Sequence, residues 1–199
     1  MLFRKHSIAI IASVAFLPSA GCQFIPGIVG GPSGDDYYPL IEGAKWEYSV
    51  LANTQKVGTM VVTSSLVSAK DGITTADLRG ETSLKSTDGN TQESVQTFKV
   101  KKMADEIQYT DSKGTTKIEM KLPLTQGLSW VTDGTTYEVK GQEDISVPAG
   151  SYRGAWKVVG TQGNTTATNY YANQVGTIKQ IVSTVDGTIT VELTKFTKP

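Results

Sequence analysis

Few side chains in this sequence could take part in covalent or metal chemistry. The 199-residue chain has one histidine, His6, and one cysteine, Cys22, and both lie near its beginning. Zinc sites need histidine or cysteine at set spacings, and Ser-His-Asp or Cys-His catalysis needs a histidine base. If the residues before Cys22 are removed, no histidine remains, and both chemistries are excluded.

Carboxylates and a Ser–Lys dyad are the remaining candidates for catalysis, and no serine stands in a recognisable nucleophile motif. A glycoside hydrolase needs two acids roughly 5–10 Å apart across a cleft. Six glutamates of predicted strands could supply such a pair: Glu47, Glu81, Glu93, Glu106, Glu138 and Glu192. Acids in strands are more typical of the polar face of a sheet, and the sequence has no glycine-rich nucleotide-binding motif. We therefore predict a protein that is not an enzyme, with no catalytic residue, no metal site and no cofactor.

Aromatic side chains are the candidates for ligand binding. The three tryptophans are Trp46, Trp130 and Trp156, and Tyr170 and Tyr171 stand next to each other. In a β-rich body of this size, such residues serve as core anchors because each buries a large apolar area. The alternative is that they line a concave sheet face or a ligand mouth that holds a lipid tail or a sugar ring. We take these five residues as candidate ligand-binding residues.

The first 21 residues have the three parts of an export signal. Arg4 and Lys5 give a positive start, an apolar run covers residues 8–17, and the small residues at 19–21 precede Cys22. The apolar run is too short for a membrane span, which needs about 20 residues. The arrangement resembles the lipobox of bacterial lipoproteins, although Ser19 stands where that motif usually has leucine. The alternative is an incidental cysteine in an ordinary secreted protein.

The lipobox resemblance implies a location and a membrane partner. In lipoproteins the cysteine is lipidated and becomes the first residue of the mature chain, so Cys22 is the implied lipid attachment site. The implied location is the bacterial cell envelope. In enterobacterial lipoproteins, an aspartate directly after the cysteine favours retention in the inner membrane. Here that residue is Gln23, so the resemblance favours the outer membrane or periplasmic face.

The sequence predicts three segments: a signal peptide at 1–21, a tether at 22–36 and a body at 37–199. The tether is rich in glycine and proline, and a flexible stretch of this length reaches about 20 Å. Without the leader, which holds two basic residues, the chain has 19 − 2 = 17 basic and 19 acidic residues. Because the body has no basic surplus, we do not expect it to bind nucleic acid.

The body shows the period-two pattern of β-strands, interrupted by turn residues. Asp-Gly pairs, which are typical of tight hairpins, occur at 71–72, 88–89, 133–134 and 186–187. No stretch has a convincing helical period. At residues 117–122, apolar residues alternate with Lys117, Glu119 and Lys121, which predicts a half-buried strand. We predict an all-β fold, with a meandering and curved antiparallel sheet that forms an open barrel or a sandwich.

One pattern of eight residues occurs twice. Residues 39–46 and 123–130 share proline, leucine, glycine and tryptophan at the same four positions. Physically, the glycine allows a turn with positive φ, and the tryptophan starts the next strand and anchors it in the core. Either the body consists of two similar halves, with a repeat boundary near 122/123, or the same type of turn occurs twice without a duplication.

Three motifs resemble those of a family of uncharacterised β-rich bacterial envelope proteins. Residues 39–48 are similar to its P-L-x-x-G-x-x-W-x-Y opening. Residues 145–152 resemble V-P-A-G-x-[FY] with its preceding strand, and residues 170–179 resemble Y-x-A-x-x-V-G-x-[IV]-K. The resemblance spans most of 37–182 and implies a meandering, curved antiparallel sheet. It implies no activity.

Together these patterns favour a lipid-anchored envelope protein of non-catalytic type. Two roles are open for its body. In the first, the curved sheet binds a hydrophobic or glycan ligand. In the second, the body is a scaffold that docks other envelope proteins through edge strands or loops. A large apolar cavity would favour the first role, and its absence would favour the second.

Overall fold

The computed structural model describes residues 35–86 and 88–199, and these residues form one antiparallel sheet of twelve strands. The strands are β1 Lys45–Ala52, β2 Gln55–Lys70, β3 Ile73–Lys85, β4 Thr91–Lys102, β5 Glu106–Thr110, β6 Thr116–Lys121, β7 Ser129–Thr132, β8 Thr135–Val147, β9 Gly150–Gln162, β10 Thr165–Ala172, β11 Gly176–Thr184 and β12 Gly187–Thr197. The predicted all-β class is confirmed. Over the described ranges, no helix is long and apolar enough to span a membrane.

The sheet is nearly closed into a barrel. Its strand order is β6-β5-β4-β3-β2-β1-β12-β11-β10-β9-β8-β7, so every neighbour is consecutive in sequence except the pair β1 and β12. That pair runs from Lys45 opposite Thr197 to Ala52 opposite Ile189. The two edge strands, β6 and β7, come close together without a shared ladder, and we call this gap the seam.

Local turn chemistry explains several of the hairpins. Asp71 and Gly72 both have positive φ, at 51° and 76°, and Asp133 and Gly134 do so at 55° and 74°. A two-residue type I′ turn requires positive φ at both of its central residues, and aspartate followed by glycine adopts these values at low cost. The predicted hairpins at these two positions are confirmed.

The pattern that occurs twice in the sequence forms the same turn twice. Gly43 and Gly127 have φ values of 72° and 85°. In each turn the residue after the glycine, Ala44 or Leu128, donates a backbone hydrogen bond three residues back, at 3.1 Å and 3.0 Å. The turns precede β1 and β7, which stand six positions apart in the strand order and therefore on opposite sides of the barrel. A duplication with its boundary near 122/123 stays a prediction.

Hydrophobic packing holds the two sides of the seam together. Ile107 and Met120 from the β5–β6 hairpin and Val139 from β8 are fully buried in one cluster. Lys117 of β6 is only 6% exposed. Its ammonium group lies 3.4 Å from the carboxylate of Asp133, in the turn between β7 and β8. Buried side chains and one ion pair thus replace a hydrogen-bonded ladder at this position.

The segment before β1, residues 35–42, crosses one end of the barrel. The backbone N–H of Asp36 donates to the Asn173 side chain at 2.8 Å, and the N–H of Gln174 donates to the Asp36 carbonyl at 2.6 Å. At the end of β4, Lys102 donates to the Asp36 carboxylate at 2.5 Å and to the Tyr38 carbonyl at 3.2 Å. Because β4 and β10 are six positions apart in the strand order, these contacts tie the segment to opposite walls.

The β8–β9 hairpin covers the same end of the barrel. The N–H of Ala149, in its turn, donates to the carbonyl of Leu193 in β12 at 2.9 Å. Ile145 and Tyr152 of the hairpin pack in one cluster with Trp46 and Leu193. We call this covered side the closed end. Asp36, which we predicted to end the tether, is thus fixed on the barrel; residues 22–34 of the predicted tether lie outside the described residues.

Candidate functional site

The barrel encloses a cavity of about 260 Å³. Its wall is formed by residues of β1 to β4, β6 and β10 to β12, together with Tyr38 and Pro39 of the segment at the closed end. Toward the other end, the wall includes Leu84, Gln92 and Glu93, next to the turn between β3 and β4. Gln92 and Glu93 are exposed, so we call this end the mouth.

Most of the wall is apolar. Aliphatic and thioether side chains of four strands contribute to it: Val50, Met60, Val62, Leu78, Leu84, Ile189 and Val191. Gly80 lies in the middle of β3 and also faces the cavity. A Cβ atom built on Gly80 would meet only the Gln96 carbonyl oxygen, at 4.0 Å, so the space in front of this glycine is free. Side chains that alternate inward along each strand therefore leave a lengthwise apolar space.

At the closed end, the polar atoms of two aromatic residues are hydrogen-bonded to the protein backbone. The indole N–H of Trp46 donates to the Val175 carbonyl at 2.6 Å, and the Tyr48 hydroxyl donates to the Thr177 carbonyl at 3.0 Å. Both side chains are buried and line the cavity. These bonds fix the rings and leave their apolar surfaces for the cavity.

A β-bulge brings one carboxyl group into the cavity wall. Ile107 pairs with Met120 and Gln108 pairs with Ile118, which leaves Glu119 as an extra residue in β6. A bulge of this kind interrupts the alternation of faces, so Glu119 lines the cavity although Met120 beside it is buried. Our prediction that Glu119 shares a polar outer face with Lys117 was wrong for this reason. Lys117 is buried as well.

The environment of Glu119 disfavours its charged form. Burial raises the pKa of the Glu119 carboxyl to about 7. The pKa values of Tyr38, Tyr109 and Tyr171 are also raised above the usual range for a phenol. Burial is the larger cause, and the negative charge of Glu119 is the second. These tyrosines come from the segment before β1, from β5 and from β10. One carboxyl group and several phenols therefore lie within electrostatic reach of each other toward the closed end.

Two of the five predicted ligand-binding residues line the cavity. They are Trp46 of β1 and Tyr171 of β10. The structure therefore brings together one tryptophan and one tyrosine that are 125 residues apart in sequence (171 − 46). Both are buried members of the core as well, so the two roles that we considered for these aromatics coincide here.

The other three predicted residues lie away from the cavity. Trp130 stacks on Tyr137 near the seam, with ring centroids 5.3 Å apart and an interplanar angle of 9°. Trp156 meets Tyr37 edge to face at 6.5 Å. Tyr170 is buried with the cluster at the closed end. These three are packing residues in the structure. Cys22, the predicted lipid attachment site, lies outside the described residues.

Comparisons with known proteins show the fold. No family model matches the chain, and a search of curated proteins finds no significant match. One similar solved structure is a candidate exported protein with a YmcC-like fold from Bacteroides fragilis, with a TM-score of 0.57 and 9% identity, covering 82% of this chain and 100% of that chain. Another is a candidate lipoprotein from Parabacteroides distasonis, with a TM-score of 0.57 and 9% identity, covering 83% of this chain and 100% of that chain.

Proposed function

We propose that this protein is a lipid-anchored cell-envelope protein of non-catalytic type, and that its barrel binds a hydrophobic ligand. The observation that carries the proposal is the cavity of about 260 Å³, which runs from Tyr38 at the closed end to Glu93 at the mouth. Ligand sites are concave, mostly apolar and supplied with few polar groups, and this cavity has those properties.

The chemistry of the wall favours a hydrophobic ligand over a glycan. Sugar sites combine an aromatic face with several hydrogen-bonding groups that are available to hydroxyls. In this cavity the N–H of Trp46 and the O–H of Tyr48 already donate to backbone carbonyls. Asn169 and Gln180 also line the cavity, and they hydrogen-bond to each other at 2.8 Å. The aliphatic wall is thus the larger contribution to binding.

The edges of the sheet support a second candidate role, in which the body docks other proteins through edge strands. Such docking requires an accessible strand with unpaired backbone groups. The terminal strands β6 and β7 are short and come close to each other across the seam. Their inner neighbours extend past them: β4 pairs with β5 only over Lys99–Lys102, and β8 pairs with β7 only over Thr135–Glu138. We favour the carrier role, in which the barrel binds the ligand, because the cavity is the more specific observation.

Support for the envelope location comes from the sequence and from the fold. Cys22 follows a leader that resembles the lipobox, and the two similar structures are a candidate exported protein and a candidate lipoprotein. A short tether would then hold the barrel within about 20 Å of the membrane surface.

The carrier role is tested by filling the cavity. We expect Gly80→Phe to weaken binding of the neutral apolar dye N-phenyl-1-naphthylamine by about tenfold or more, because the new ring occupies the free space in front of Gly80. The measurement is a fluorescence titration of the purified protein. The matched control is Glu81→Phe, which places the same ring on the exposed side of the same strand and should leave the affinity unchanged. Equal dye affinity for Gly80→Phe and the unchanged protein would refute the carrier role.

The anchor is tested at Cys22. We expect Cys22→Ser to move the protein from the membrane fraction to the soluble fraction of an export-competent bacterial host, because stable anchoring requires acyl chains on this residue. Fractionation followed by immunoblotting measures the distribution. Ser19→Leu, which brings the leader closer to the usual lipobox, should keep the protein in the membrane fraction. Retention of Cys22→Ser at the membrane would contradict the lipoprotein assignment.

A further inference from the structure

Glu119 is a half-buried residue of the cavity wall whose carboxyl group the fold leaves without a partner. Among the described residues, it has neither a hydrogen bond nor an ion pair. Glu106, in the same hairpin, shows the contrast. It is buried, but Lys121 forms an ion pair with it and the Gln108 amide donates to it at 2.5 Å. An acid that serves only the fold is satisfied in this way. Glu119 instead lines the cavity.

The charge of the cavity wall has one sign. Its acidic residues are Glu119, toward the closed end, and Glu93, at the mouth; no lysine or arginine is part of the described wall. Burial of an unpaired carboxylate is costly, and for Glu119 this cost is visible as a pKa raised to about 7. A cationic ligand would remove that cost, whereas an anionic ligand would add a second unpaired charge.

Aromatic rings complete the surroundings of Glu119. Tyr38, Tyr171 and Phe98 line the same cavity. The faces of aromatic rings attract cations, and the attraction grows when the cation is removed from water. A carboxylate and several rings in an apolar wall form a surface for a nitrogen cation. The aliphatic wall along Leu78, Gly80 and Leu84 then remains for an apolar chain.

We propose that the ligand is an amphiphilic amine, with its protonated nitrogen at Glu119 and its apolar chain directed toward the mouth. This inference rests on the proposed carrier function, because it requires that the cavity take an apolar chain. It adds the class of the head group. Fatty acids and other anionic lipids are disfavoured by the same geometry.

The test compares three probes that share one chain and differ in charge: decylamine, decanol and decanoate. Each is titrated against the purified protein by calorimetry near pH 8. We expect decylamine to bind at least about tenfold more tightly than decanoate, with decanol between them. The variant Glu119→Gln keeps the shape of the side chain but removes its charge. We expect it to weaken the binding of decylamine about tenfold and to leave the affinity for decanol unchanged. Glu81→Gln, on the exposed side of β3, should change neither affinity.

The pH dependence gives a second readout. An alkylamine stays protonated between about pH 5 and pH 9, so the changing group is the Glu119 carboxyl. The tyrosines near Glu119 keep their protons in this range because their pKa values are raised. They are Tyr38, Tyr109, Tyr137 and Tyr171. Lys117 and Asp133 pair with each other, and Glu93 is exposed. We therefore expect the affinity for decylamine to fall as the pH drops below 7, and Glu119→Gln to abolish this dependence.

The outcomes separate this inference from the carrier proposal. If decanoate binds as tightly as decylamine, or if Glu119→Gln binds decylamine with unchanged affinity, the amine inference is overturned and the carrier role stands. If none of the three probes binds, and Gly80→Phe also leaves dye binding unchanged, both are overturned.

Discussion

Replacement of Gly58 by alanine is expected to destabilise the barrel by about 3 kcal/mol, which is large for the addition of one methyl group. Gly58 lies in β2 between Val50 of β1 and Leu84 of β3, next to a bulge in the β1–β2 ladder. A Cβ atom at Gly58 would lie 2.2 Å from the Ser83 carbonyl oxygen and 3.0 Å from the Leu84 Cα atom. Because both atoms belong to the backbone of a central strand, they can yield only if β2 and β3 move apart.

Gly80 provides the matched control for this substitution. It is also a mid-strand glycine, in the strand next to β2, but its added Cβ atom would meet nothing closer than 4.0 Å. We expect Gly80→Ala to leave the free energy of unfolding unchanged or to raise it by up to about 1 kcal/mol, through the lower entropy of the unfolded chain. Urea unfolding followed by tryptophan fluorescence measures both variants. Equal midpoints for Gly58→Ala and Gly80→Ala would contradict the clash.

Glu119→Gln is expected to stabilise the protein by about 3 kcal/mol near pH 8 and to have almost no effect near pH 4. Burial raises the folded-state pKa of Glu119 from its ordinary 4.5 to about 7. Between these values the folded protein keeps a proton that the unfolded chain has released, so the stability of the unchanged protein falls as the pH rises through this window. Each pKa unit corresponds to about 1.4 kcal/mol. Glutamine has no charge to bury, so the variant keeps this stability as the pH rises.

The same unfolding experiment, repeated at about pH 4.5, 6 and 8, tests this prediction. The difference between Glu119→Gln and the unchanged protein should grow with pH and level off above 7. Other carboxylates titrate equally in both proteins and cancel in the difference. Glu81→Gln is the control and should show no comparable trend. A difference that is constant across the three pH values would show that Glu119 is not desolvated in the folded state. Unfolding in the absence of ligand keeps this test independent of the amine inference.

Much of the local structure could be predicted because its causes are local. The alternation of apolar and polar residues and the Asp-Gly pairs involve neighbours in sequence. The Asp-Gly pairs at 71–72 and 133–134 separate β2 from β3 and β7 from β8, as predicted. The positive φ of Gly43 and Gly127 could also be predicted, because a proline, a leucine, a glycine and a tryptophan recur at one spacing.

Bulges account for the positions where the alternation misled us. Periodicity places Glu119 outside, but the extra residue in β6 brings it to the cavity. Likewise, strict alternation along β2 would place Leu66 on the same face as Met60 and Val62. The β2–β3 register shifts between Ser65 and Ser68, and Leu66 is 73% exposed with a φ of 52°. A bulge depends on how two strands fit together, so it leaves little signal in either strand alone.

The site was harder to predict than the strands, because it is assembled from distant parts of the chain. Trp46 and Tyr171 could be named as aromatic candidates, but their residue types do not distinguish them from Trp130 or Trp156. The distinction arises only when the strand order is known. Tyr38 belongs to a segment that precedes the sheet and reaches the cavity because Asp36 is held by Lys102.

The pairing of β1 with β12 determines when this fold can be completed. All other paired strands are neighbours in sequence and can associate as soon as both have been synthesised. The contacts of Lys45 with Thr197 and of Ala52 with Ile189 join the first described strand to the last one, and they close the longest loops of the sheet. A nascent chain therefore holds β1 with one side unpaired until β12 emerges. The ladder that joins the two halves of the sheet therefore becomes available only when the last strand is complete.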